Sequence, residues 1–188
     1  MLRPTVAIEE KSNAFDAMRA DLKLLSDAFV KVGFPEGAKP GKPKNILVDA
    51  KPYEDMSEVA RIATWNEFGV AKTQIETMRG IMTGRSASNW KLPPRNFFRS
   101  AVDGSNEQLK NVKERLYQQF LLGRLTAVQV LDSLGLWMQA KIRNSIIHGN
   151  WTPNAPSTIK QKGSSKPLID SSQMLNSVTW VNSLSKAK

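Results

Sequence analysis

One histidine, no cysteine and scattered carboxylates limit the chemistry open to this 188-residue chain. His148 closes a long amphipathic stretch, where an imidazolium gains a few tenths to about 1 kcal/mol from the helix terminus. With no thiol and no second histidine it lacks the converging ligands that zinc requires, so it is read as a helix-end or packing residue. The acids Glu9-Glu10 and Glu54-Asp55 are sequence neighbours, and such neighbours do not face each other on a helix. General acid–base work needs two carboxylates held across a pocket, and these pairs are read as solvated surface. Ser164-Ser165-Lys166 has the composition of a serine–lysine pair, but Gly163 and Pro167 bracket it as a polar loop. Gly33, Gly37 and Gly41 make no phosphate loop, because Gly41-Lys42 runs into Pro43 and not into a Ser or Thr that opens a helix. The expectation is a protein that is not an enzyme and holds no cofactor and no metal.

Charge and aromatics point to partners. Lysine and arginine number 27 against 17 acids, a net charge of +10, which suits a phosphate- or carboxylate-rich neighbour. Lys39, Lys42 and Lys44 alternate with glycines and prolines on an expected basic loop. Lys72, Arg79, Arg85 and Lys91 lie in residues 70–92 against the single acid Glu76. Trp137 and Trp180 fall in regular elements and are expected to be partly core. Trp90 and Trp151 fall in loops, where a protein interface is preferred over base stacking. Without cysteine no disulfide is possible. No apolar run is long enough for a membrane-crossing helix, and Met1–Ala7 lacks the apolar core of a signal peptide. A chain of cytosolic synthesis is expected.

The elements that would carry these residues follow from periodicity. Phe15, Met18, Leu22 and Leu25 recur at helical spacing over 13–28, after residues 1–12 read as an extended arm. Val30, Val32 and Phe34 alternate as a strand, with Ile46–Val48 as its expected hairpin partner. Ser57 is placed to cap a helix over 58–67, closed by Gly69. Residues 70–92 lose periodicity and read as an extended loop with a short helix near 75–82. Pro93-Pro94 ends it, and a helix starts near Asn96. Further helices are expected over 106–122 and, capped by Thr126, over 127–147, where Ala127, Val130, Leu131, Leu134, Met138, Ile142 and Ile146 form one stripe. Residues 150–173 read as loop, followed by a last strand with Val178 and Trp180 alternating. The fold class is α+β: a small antiparallel sheet packed against helices, long helices in the C-terminal half, extended loops, and a single domain over 1–188.

Four passages in order carry a resemblance: Lys31-Val-Gly-Phe34, Ala60-Arg-Ile-Ala-Thr-Trp-Asn-Glu-Phe-Gly69, Pro93-Pro-Arg-Asn-Phe-Phe-Arg99, and the C-terminal set Trp151–Ile159, Lys162–Asp170 and Gln173–Val178. Over residues 29–182 the chain resembles the neck and tail-completion proteins of long-tailed bacteriophages. It departs from them in a long 70–92 segment and in Asn96, where proline is frequent. The resemblance implies a structural virion protein forming a homomeric ring, most often six-fold, at the head–tail interface. There it joins or caps the tail and lines the DNA path, after assembly in the host cytoplasm. The implied partners are further copies of itself, head-connector or head-closure proteins, and tail-tube or terminator proteins, with non-specific proximity to packaged DNA and no membrane.

On that reading Trp90, Arg95, Arg99, Trp151, Leu168, Ile169 and Asp170 are interface candidates, and Lys39, Lys42, Lys44, Lys72, Arg79 and Arg85 face the channel or a partner. Each has a plainer alternative. Pro93 and Pro94 end an extended segment and Phe97 and Phe98 anchor the following helix in the core, a reading preferred over Arg95 and Arg99 pairing with acids of an adjacent subunit; Leu168 and Ile169 pack inside beside an Asx-type turn at Asp170. A basic DNA-binding protein outside the virion is the alternative function, marked by tight, salt-dependent binding to free DNA. An enzyme encoded with tail genes would need a convergent acidic or metal site, which the sequence does not offer.

Overall fold

The computed structural model describes residues 6–34, 58–71 and 91–184, with side chains from residue 15 onward and excepting Ala71. The class is α+β, and the described elements run α1 (Val6–Ser26), β1 (Val30–Gly33), α2 (Glu58–Phe68), β2 (Val70–Ala71), β3 (Lys91–Leu92), α3 (Phe97–Asp103), α4 (Asn106–Leu121), α5 (Ala127–His148), α6 (Pro156–Lys162), α7 (Gln173–Ser177) and β4 (Thr179–Asn182). They divide into two compact units, each assembled from segments far apart in sequence.

The first unit draws on residues 6–31, 106–137 and 180–184. Its core is Phe120, Ala127 and Val130, with Leu25, Leu116, Leu125, Leu134 and Leu184 packed against it. The turn Gly123 (φ +70°) separates α4 from α5. Thr126 then caps α5: its Oγ1 accepts the Gln129 N–H at 3.3 Å while Gln129 Oε1 accepts the Thr126 N–H at 2.9 Å, a reciprocal capping box. Trp180 lies so close to Gly135 that a Cβ there would stand 2.6 Å from the indole.

The second unit draws on residues 32–34, 58–71, 91–105 and 138–179. Val59 and Ala63 of α2, Phe97 and Ala101 of α3, Ile142 and Ile146 of α5, Met174 and Val178 form its buried core. Burying each of the larger side chains contributes about 1.5–3 kcal/mol. Phe34 meets Phe97 edge-on, with ring centroids 6.5 Å apart.

Several boundaries differ from expectation. α1 begins at Val6, so residues 6–12 are helix and not an extended arm; Ala7-Ile-Glu-Glu-Lys11 is a run of good helix formers with no breaker. Among the described strands β1 pairs with β4, a non-local pairing, and the expected partner Ile46–Val48 lies outside the described residues. The 70–92 excursion is closed at its base by an antiparallel pairing, Val70 with Leu92 and Ala71 with Lys91. The short helix expected near 75–82 lies outside the described residues. The 150–173 segment is not all loop: Pro156 opens α6 and Gly163, at φ +69°, closes it, the usual proline-first, glycine-last asymmetry.

Candidate functional site

The sequence motifs converge at the C-terminal end of α2. That helix stops at Phe68 because Gly69 turns left-handed (φ +72°), and a Cβ there would meet Leu92 O and Pro94 N, both at 2.8 Å. The close approach brings the Pro93–Arg99 segment directly against Asn66 and Glu67. Arg95 is only 4% exposed. Its N–H donates to Asn66 O at 2.7 Å, and its guanidinium donates to Asn66 Oδ1 (3.1 Å), Thr152 O (3.0 Å) and Asn154 Oδ1 (3.0 Å). One side chain thus ties its own segment to partners 29 residues before it and 59 residues after it.

Both amides in this clamp are oriented by bonds of their own. Asn66 Nδ2 donates to Ile62 O at 2.9 Å, leaving Oδ1 for Arg95. Asn154 Nδ2 donates to Lys166 O at 3.2 Å. The oxygens facing Arg95 in these bonds are neutral, and burial lowers the affinity of its guanidinium for its proton. Lys162 donates to Lys166 O at 3.0 Å. Its pKa is lowered chiefly by burial, with Asp170 opposing and Arg95 reinforcing the shift.

Glu67 supplies the second half of the clamp. It is 7% exposed, and its carboxylate accepts the N–H of Phe98 at 2.8 Å and of Arg99 at 3.0 Å. These are first-turn donors of α3, whose N-cap residue Asn96 makes no side-chain bond. A carboxylate there satisfies orphan donors and the positive end of the helix dipole together. Ser145 of α5 adds a bond to Phe97 O at 2.8 Å, so α3 is gripped at its start from two helices.

The interface candidates fall into different settings. Arg95 lies inside the second unit, and each of its three guanidinium nitrogens donates a bond within the chain. Trp151 is half-buried: its indole N–H donates to Ser145 O at 3.1 Å and its ring packs on the core. Leu168 and Ile169 also pack partly on the core. The Ile169 N–H returns to Pro167 O at 2.7 Å across Leu168 at φ +62°, a tight three-residue turn. Asp170 and Arg99 are exposed, and Arg99 lies over the exposed ring of Phe68 with its guanidinium carbon 5.6 Å from the ring centroid, a cation–π pair. Trp90, Lys39, Lys42, Lys44, Lys72, Arg79 and Arg85 lie outside the described residues.

Sequence reading did not single out Asn66, Glu67, Phe68 or Asn154. A signal existed for Glu67: it sits in the last turn of α2, where a carboxylate opposes its own helix's dipole, so it must answer to something else. Among the described residues no group of three or more His, Asp or Glu is placed to hold a metal, and no helix is long and apolar enough to cross a membrane. His148 is exposed in the last turn of α5. Comparison with known proteins found no matching family model, no matching curated protein and no matching solved structure.

Proposed function

We propose that this chain is a structural protein of a long-tailed bacteriophage virion, forming a homomeric ring at the head–tail interface that joins or caps the tail and surrounds the DNA path. One observation supports the reading above the others. The Asn66-Glu67-Phe68-Gly69, Pro93–Arg99 and Trp151–Asn154 motifs, which carry the resemblance to neck and tail-completion proteins, meet in one buried clamp through Arg95 and Glu67. The clamp is suited to holding shape: it fixes α2, α3 and the chain after α5, next to the β2–β3 pairing that joins residues 70–71 to 91–92.

The function is geometric on this reading, with no catalytic step and no cofactor. Copies of the chain are partners of each other, the ring being six-fold as in the resembled family, and head-closure and tail-tube proteins are the axial partners. The net charge of +10 is compatible with passing DNA. Immunogold electron microscopy of purified virions and tails tests the proposal. Label at the head-proximal end of the tail is expected, and label on headless tails would assign the terminator position. Unlabelled particles would refute it, and tight salt-dependent binding to free DNA would then favour a protein acting outside the virion.

A further inference from the structure

We draw no further inference here: the strongest candidate, the face of α2 on which Arg61 Nε and Trp65 Nε1 are buried without a hydrogen-bond partner among the described residues and the exposed Phe68 ring lies under Arg99, carries none, because nothing in the structure shows what covers that face.

Discussion

Replacing Glu67 by alanine tests whether the clamp holds α3. The carboxylate accepts two backbone N–H groups at 2.8 and 3.0 Å in a site 7% exposed. Hydrogen bonds to a charged group are each worth about 1.5–3 kcal/mol, and the abandoned donors keep their desolvation cost. Glu67→Ala should therefore destabilise by about 3–5 kcal/mol, a large part of a total stability of about 5–15 kcal/mol. Glu67→Gln keeps the shape and one acceptor oxygen but loses the charge facing the helix end, and should cost about 2 kcal/mol. For a chain of this size each kcal/mol lowers Tm by about 2–4 °C. Urea unfolding measures the global change, and amide hydrogen exchange localises it. Protection at the Phe98 and Arg99 amides should collapse in Glu67→Ala before it does elsewhere in α3. If Glu67→Ala stays within about 0.5 kcal/mol of wild type and those two amides keep their protection, the carboxylate does not hold α3 and the reasoning fails.

Gly69→Ala should cost about 2–4 kcal/mol in urea midpoint measurements, since it combines a left-handed backbone penalty with a Cβ driven into backbone atoms at 2.8 Å; a loss under about 0.5 kcal/mol would show that the turn relaxes freely. Thr126→Ala removes one arm of the capping box and should cost about 1 kcal/mol, with fraying at the α5 amides nearest residue 127; unchanged exchange there would refute the cap. Lys162 carries a pH prediction. Its folded pKa lies below the ordinary 10.5, so between the two values the unfolded chain holds a proton that the folded chain has shed. Its burial therefore opposes folding fully below that window and is relieved as pH rises through it. The stability of wild type relative to Lys162→Gln should climb toward pH 10.5, and a difference that stays flat would contradict the burial.

Much of the scaffold was legible in local patterns. The α5 stripe came directly from helical spacing, and Val130, Ile142 and Ile146 are indeed buried. Thr126, Gly69 and Gly123 marked ends because caps and left-handed turns depend on a few adjacent residues. The class α+β followed from the order of those segments. Where reading fell short, the missing information was non-local or weakly local. Pro156 and Gly163 frame a helix of only seven residues, too short for periodicity to show. β1 finds β4 roughly 150 residues away (Phe29 and Ser183 are 154 apart), and alternation reveals a strand without naming its partner.

For this chain, residue chemistry alone determined where most helices begin and end and which faces are apolar, because propensity and capping are properties of neighbours. The tertiary structure decided what the motif residues do. Arg95 could have faced outward to an acid on another subunit; it turns inward because Asn66, Thr152 and Asn154 arrive together with three oxygens at bonding distance. Glu67 is unfavourable at its own helix end and favourable at the start of another, a balance that exists only once α2 and α3 meet. The apolar row of α1, visible in sequence as one helical face, stays largely uncovered because Leu25 packs on the unit's core while Phe15 and Leu22 stay exposed.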